Sequence, residues 1–491
     1  MSRSTVSRPT KVSRVWLLCL LALLAASFAP AGAPQALAQA APDVRYDAIA
    51  KIVYVGANYT PGSLFAGYPS HPDAPKQPIT VPALAQSLTA IGQPNLLVDQ
   101  GGGAWLLRSD VVISPTARLE ATAPSISALR LDSTPDRFPA LTRLVATGGH
   151  LLIQGVSVVS WDNIAGAVDA EYLDGRSYLL AQTGGRLDII DADVSYLGWG
   201  DGEPSGLAWR KRATKTDPKT GATGSMLRSN IHNNYFGQYS EEAYALQVLN
   251  NEIHDNVSYG LAPNNYSMNF VVAYNKIYNN GKHGISFSRG SESNWIHNNE
   301  VYGNLEHGIM LGRGSNNNKL SDNLIYNNRD GIAIREQGPR TINTDGHGEV
   351  TYINQNLQLT SNYVANNRGY QLALWWDNAF FGPHPSEEKL YPTNEEWKRR
   401  VQQISHLLYD PSKQKIEVQG NLFEATPAQK LILMGAPWRN RSRDQEACAD
   451  LGANDYHHHV TNFEYPDDLG WIEAPRDVEE FLEKLKLPKV Q

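Results

Sequence analysis

Cysteine is nearly absent from this 491-residue chain, which holds only Cys19 and Cys448. Cys19 falls in an N-terminal stretch that reads as a removed export signal. The mature chain would then keep Cys448 alone, so no intramolecular disulfide can form and stability must come from core packing. Positive charge is also in short supply: 43 Lys and Arg against 50 Asp and Glu give a formal net charge of −7. That balance argues against nucleic acid or an anionic membrane as the main partner, although a groove can be locally basic on an acidic protein. Long apolar runs are missing as well. Residues 15–28 form a run of 14, too short to span a bilayer comfortably. Arg3, Arg8, Lys11 and Arg14 precede it, and Ala36-Leu37-Ala38 fits a small-residue cleavage site. Residues 1–38 therefore read as a signal peptide, and the mature protein as periplasmic or secreted with no membrane attachment after cleavage. Also lacking are a nucleotide-binding glycine loop, a zinc signature and a Gly-x-Ser-x-Gly elbow. No cofactor is expected. Scattered Asp and Asn leave calcium open, but there is no calcium-binding nonapeptide repeat.

What the chain has is a repeat. Tyr259-Gly260-Leu261, His283-Gly284-Ile285, His307-Gly308-Ile309 and Asp330-Gly331-Ile332 align, with glycines 24, 24 and 23 residues apart. Asn251, Asn275, Asn299 and Asn323 recur every 24 residues, each trailed by a second asparagine at Asn256, Asn280, Asn304 and Asn328. The apolar residues alternate in short stretches such as Ile285-Ser286-Phe287, broken by Asn and Gly, whose backbones tolerate left-handed turns. A leucine-rich repeat of similar period would show a leucine-dominated consensus, which is missing. A unit of about 23 residues holding three short strands is one coil of an all-β, right-handed parallel β-helix, with apolar residues stacked inside and asparagines stacked at the turns. Residues 39–80 read as a Pro-rich N-terminal extension, 81–425 as the solenoid and 426–491 as a C-terminal capping region. Gly331 to Gly369 spans 38 residues, so that coil carries an insertion near 338–350. Short helices at 394–408 and 478–487 would decorate the solenoid, and 414–423 reads as a strand.

Equivalent positions on successive coils form rows, which suit an extended polymer. Five residues after the last three aligned glycines stand Arg289, Arg313 and Glu336, with Arg335 beside the last. Arginines about 4.8 Å apart would repel unless a carboxylate ligand or neighbouring glutamates compensate them. Tyr259, His283, His307 and Asp330 form a second row, whose histidines either serve a site or simply bond neighbouring turns. Trp209-Arg210-Lys211-Arg212 reads as a basic loop beside the groove or as a solvated one. Trp199, Trp295, Trp375 and Trp376 either stack on sugar rings or belong to the core.

The segment Tyr259-Gly260-Leu261-Ala262-Pro263-Asn264-Asn265-Tyr266-Ser267 resembles the Tyr-Gly-Ile/Leu-Asp-Pro-His-Asp-Arg-Ser segment of the periplasmic mannuronan C5-epimerases of alginate-producing bacteria. Lys282-His283-Gly284-Ile285-Ser286-Phe287-Ser288-Arg289 is similar to the rung that follows it there. Arg313-Gly314-Ser315 and Asp330-Gly331-Ile332-Ala333-Ile334-Arg335-Glu336 resemble the next two. Upstream, Leu96-Leu97-Val98-Asp99-Gln100, Trp105-Leu106-Leu107-Arg108 and Arg176-Ser177-Tyr178-Leu179-Leu180 extend the likeness, which covers roughly 80–340. The resemblance implies an acidic polysaccharide as partner, in the setting of an exopolysaccharide export complex. It also implies that Arg289 neutralises a sugar carboxylate while a base removes the C5 proton. The family's base histidine is Asn264 here, and an amide cannot take that proton. Three readings follow. Tyr266, His283 or His307 replaces the base, for epimerisation or for β-elimination, with Asn264, Asn265, Lys282, Arg313, Arg335, Glu336 and Arg210 binding substrate. Or the protein is an inactive relative that binds the polymer during export. Or the β-helix serves another glycan.

Overall fold

The structure is a computed structural model that describes residues 43–56, 76–134, 141–200, 204–210, 221–336, 354, 356–376, 416–425, 430–434, 449–450 and 455–457. The expected signal peptide, the 338–350 insertion and both expected helices lie outside them.

One coil shows the architecture. Strands His307–Gly312, Lys319–Ser321 and Leu324–Tyr326 each enter a different sheet, and Asp330–Glu336 returns to the first. His307–Gly312 pairs in parallel with Ile285–Ser288 before it and with Asp330–Glu336 after it. Repeated along the described residues, this gives a right-handed parallel β-helix with sheets of 13, 12 and 14 strands. Many strands are three residues long with only the middle side chain buried, as in Lys276–Tyr278. The inner rows stack by identity of type: Ile253, Ile277, Val301 and Ile325 on one sheet, Ile285, Ile309 and Ile332 on another, all buried. Each buried side chain of this size contributes about 1.5–3 kcal/mol of transfer free energy.

The asparagines do what the repeat suggested, but not by bending the chain themselves. Asn251, Asn275, Asn299, Asn323, Asn362 and Asn421 form one buried ladder. In it the backbone N–H of every member before Asn421 donates to the side-chain oxygen of the next rung, while its Nδ2 donates both to that oxygen and to a main-chain carbonyl, as Asn275 does to Asn299 and Val248. A second ladder runs through Asn234, Asn256, Asn280, Asn304, Asn328 and Asn367. The left-handed backbone belongs to the residue just before: Asn250, Tyr274, Asn298 and Asp322 have φ between 53° and 59°.

The aligned glycines also act differently from the expectation, for none of Gly260, Gly284, Gly308 or Gly331 has positive φ. Space is the reason. A Cβ on Gly284 would meet Val301 Cγ1 at 2.6 Å, the Gly308 carbonyl oxygen at 2.7 Å and Asn304 Nδ2 at 2.8 Å.

The solenoid extends beyond its expected bounds. Val44–Asp47, Ile52–Val55 and Gln77–Thr80 fall inside the supposed 39–80 extension, and all three belong to the sheets. They begin the stack together with a helix, Val81–Ala90, whose Val81, Leu84 and Leu88 are buried. Thr80 caps that helix, its side chain accepting from the Ala83 N–H at 3.3 Å. Strands Lys430–Met434, Ala449–Asp450 and Asp455–His457 continue the sheets past residue 425. The single strand expected over 414–423 is two, Ile416–Gln419 and Leu422–Glu424, in different sheets. Gly420 at φ +64° turns the corner between them.

Candidate functional site

The outer face of the 13-stranded sheet carries a cavity of about 420 Å³. Its floor is the outward row in which Tyr239 pairs with Ala262 and Ser286 with Met310. Asn264, Ser288, Gly312 and Arg335 line one side, with Arg289 and Arg313 at the turns beyond. Phe236, Tyr259 and His283 line the other.

Arg289 and Arg313 occupy equivalent turns. The Arg289 N–H donates to the Gly312 carbonyl at 3.2 Å, and the Arg313 N–H to the Arg335 carbonyl at 3.1 Å. Both have left-handed backbones, φ 57° and 59°. This is the ordinary corner of the solenoid rather than strain reserved for a site, since Asn265, Ser293 and Asn317 on the same turns do likewise. The Arg289 guanidinium reaches Asn265 Oδ1 at 3.5 Å, a long contact that leaves most of its donors for a ligand.

Glu241 organises the opposite end. Its Oε1 accepts from the Tyr239 hydroxyl at 2.6 Å and from Asn265 Nδ2 at 3.0 Å, and its Oε2 from Arg210 Nε at 2.8 Å. Burial, then the Glu241 charge, push the Tyr239 phenol well above its usual range, so it stays a hydrogen-bond donor. The chain Arg210–Glu241–Asn265–Arg289 runs from rung to rung along the Asn264 side of the cavity. Sequence reasoning missed Glu241 and Tyr239. Glu241 occupies the column one residue before the arginine column, shared with Asn264, Ser288, Gly312 and Arg335, so reading one more aligned column and one earlier rung would have found it.

The second row is a stack. Phe236 and Tyr259 lie 5.2 Å apart between ring centroids, Tyr259 and His283 4.9 Å, and His283 and His307 4.7 Å. Burial, reinforced by the neighbouring His307 ring and the positive charges of Arg329, Arg335 and Lys282, holds His283 well below the ordinary histidine range. It is neutral at neutral pH. Its Nδ1 lies 3.2 Å from Glu306 Oε2 and 3.3 Å from the His307 backbone N–H. One nitrogen cannot donate to the first and accept from the second. The bond formed is the one from the His307 N–H, so Nδ1 accepts and the ring proton sits on Nε2; a proton moved to Nδ1, facing Glu306, would free the Nε2 lone pair. His307 is buried behind it, with Nδ1 2.9 Å from Asp330 Oδ2 and Nε2 3.0 Å from Arg329.

Among the residues named from sequence, the structure brings His283, Asn264, Arg289, Arg313 and Arg335 to one cavity. Asn264 accepts the Asn265 N–H on its amide oxygen at 3.1 Å. Tyr266 does not line the cavity; its ring covers Gly290, where a Cβ would meet Tyr266 Cε1 at 2.7 Å. His307 is held by Asp330 and Arg329 rather than presented to the groove, and Lys282 sits over the Tyr259 ring at 5.4 Å. Arg210 is ion-paired to Glu241 and so is not a cation open to substrate. The side chain of Glu336, at the end of its strand, lies outside the described residues, as do Lys211, Arg212 and the side chains of Trp375 and Trp376. Trp209 is core, its Nε1 donating to the Leu187 carbonyl at 3.3 Å. Trp199 and Trp295 are partly exposed away from this cavity. Among the described residues no cluster of His, Cys, Asp and Glu could hold a metal, and no helix is long and apolar enough to cross a membrane.

Comparison with known proteins agrees with this architecture. A family described as a right handed beta helix region matches residues 219–343 and 289–381. The chain is 28% identical over 200 residues to the mannuronan C5-epimerase AlgG of Azotobacter vinelandii. That match covers 39% of this chain and 35% of the relative, so the chain spans about a third of the length of the curated relative it matches. The crystal structure of the periplasmic alginate epimerase AlgG superposes with TM-score 0.58 at 17% identity, covering 82% of this chain and 85% of the other. A point mutant of that epimerase gives TM-score 0.59 at 18% identity over the same shares. The sequence resemblance to the mannuronan C5-epimerases is thus accompanied by a shared fold.

Proposed function

We propose that this protein acts on a uronic-acid polymer laid in the groove, with Arg289 neutralising a sugar carboxylate and His283 taking the C5 proton on Nε2 in the tautomer whose Nδ1–H faces Glu306. The observation that carries the reading is the pairing of a neutral, groove-lining His283 with Arg289 in one cavity. A proton α to a carboxylate is removed only if the charge building on that carboxylate is stabilised and an unprotonated base is in reach. The C5–H bond breaks, its proton goes to Nε2, and the electron pair moves into the carboxylate. Reprotonation at C5 from the opposite face by water, with Nε2 releasing its proton to the resulting hydroxide, gives the epimer. Expulsion of the C4 glycosidic oxygen, which takes up the abstracted proton as it leaves, instead gives a C4–C5 double bond and a cleaved chain. Arg313 and Arg335 supply further positive charge along the same wall. The likeness to mannuronan C5-epimerases supports a polyuronate as the substrate and the periplasm as the setting.

Asn264 favours a second reading, a binding relative without turnover, because it stands where the resemblance places the base. Incubation with polymannuronate in deuterated water separates the two by proton NMR. Deuterium at C5 with new guluronate signals establishes an epimerase, and unsaturated chain ends a lyase. In either case His283→Gln is expected to lower kcat by about 10²–10⁴-fold. Binding that Arg289→Ala abolishes, with neither chemical signal, establishes the binding relative. Absence of polyuronate binding overturns both.

A further inference from the structure

We propose that Trp295 is the platform of a second sugar-binding site, on the outer face of the 12-stranded sheet, which takes one pyranose unit of a glycan with Lys319 at its edge. The site stands apart from the cavity on the 13-stranded sheet and from the chemistry proposed there; only the identity of its glycan with the polymer of the groove rests on that reading.

Ile296 of strand Trp295–His297 faces the core, so Trp295 and His297 both point outward. The column of Trp295 reads Gln247, Val271, Trp295, Lys319 and Gln358 on successive rungs. Glutamine, valine or lysine satisfies the solenoid at this place, so a tryptophan is not needed to build it. Yet the indole is held in one pose. It lies on the His297 imidazole, ring centroids 4.0 Å apart and tilted by 28°, and its Nε1 donates to Ser321 Oγ at 3.1 Å on the next rung. One indole face rests on that imidazole and the residue is still 44% exposed, so the other face is presented to solvent. Tyr274, also 44% exposed, meets the same imidazole edge-on at 5.6 Å and 80°. His297, 9% exposed, is thus the buried support between two exposed rings. Lys319 holds its ammonium 5.4 Å from the indole centroid.

An aromatic face held flat at a surface, with hydrogen-bonding groups at its edge, matches a pyranose. The sugar's axial C–H bonds form an apolar face that meets the negative face of the indole π-system. Its hydroxyls lie round the rim, where Lys319 brings three donors to a hydroxyl or carboxylate oxygen. A protein partner fits less well. A stable protein interface buries roughly 800 Å² on each side around an apolar centre. Here Lys319, Gln247 and Gln358 share the column of the indole, and the apolar centre is of one sugar's size.

The test uses the whole protein carrying isotope-labelled tryptophan, with the Trp295 indole N–H signal identified by its loss in Trp295→Phe. The tetrasaccharides of mannuronate and of neutral mannose are added separately to the unmodified protein and to Arg289→Ala. The expected result is a saturable shift of the Trp295 signal with at least one of them, kept in Arg289→Ala. If the mannuronate is the one that acts, Lys319→Gln should weaken the response about threefold or more. A Trp295 signal that neither sugar moves overturns the second site. The groove reading is decided separately, by calorimetry of mannuronate binding to the unmodified protein and to Arg289→Ala. A shift that disappears in Arg289→Ala means that the indole only reports the groove, and it overturns the second site as well.

Discussion

At the residue scale, two positions carry more than their side-chain types suggest. Gly284 is required by crowding between rungs, not by backbone angle, because its missing Cβ would overlap Val301, Asn304 and the Gly308 carbonyl. Gly284→Ala should therefore cost about 1–3 kcal/mol, read as a lower urea midpoint with an unchanged slope. An exposed corner residue such as Asn279, whose φ of 54° glycine adopts freely, should accept Asn279→Gly with little loss. His283 predicts a pH dependence. Unfolded, it would titrate near 6.5; folded, burial, the His307 ring and the charges of Arg329, Arg335 and Lys282 depress it. Below pH 6.5 the unfolded chain takes up a proton that the folded chain refuses. The contribution of His283 is thus full above that value and falls as the pH drops toward the folded one. Asp330, also held low through its bond to His307, acts in the same direction, whereas His232, raised by Asp193, acts in the opposite one. The loss of urea midpoint between pH 7.5 and pH 5.5 should be smaller in His283→Gln than in the unmodified protein. An equal loss in both would remove His283 as its cause.

At the element scale, a three-residue strand has little to hold it except its neighbours, and the asparagine ladders supply the missing bonds. Asn304 accepts from the backbone and side chain of Asn280, and gives its own Nδ2 to Asn328 and to the Ile277 and Tyr302 carbonyls. Asn304→Leu strands several of these groups in a buried turn, at about 1–3 kcal/mol for each group left unsatisfied. The loss should exceed that of Asn251→Leu, because the rung below Asn251 presents Ser229 rather than another asparagine. Equal losses would mean that the ladder is not cooperative. Hydrogen exchange at the Asn280 N–H should speed up in Asn304→Leu, since that amide bonds the removed oxygen.

At the scale of the whole molecule, no cysteine stands among the described residues, so nothing covalent ties their coils together. The sequence holds only Cys19 and Cys448, and the expected loss of Cys19 leaves no pair, so the melting temperature should be the same with and without reductant; a fall on reduction would point to a disulfide. The stack instead adds stability rung by rung, through identical contacts between neighbours.

Sequence alone determined the coil. A period of 24 with Asn and Gly in fixed columns can only be satisfied when like residues lie over one another, so the ladders, the stacked isoleucines and the alignment of Arg289 with Arg313 were legible in the chain. Where the period fades, legibility fades with it. The strands before residue 81 and the helix Val81–Ala90 escaped because the first coils carry few of the repeat's columns. Tertiary structure decided what the columns are for. Two residues in one column share a direction but not an environment: His283 faces the cavity while His307 is locked by Asp330 and Arg329. Arg289 keeps most of its donors while Arg210 is spent on Glu241, a partner 31 residues away in sequence and one rung away in space. Burial and pairing across rungs depend on what lies above and below, and only the folded stack sets that.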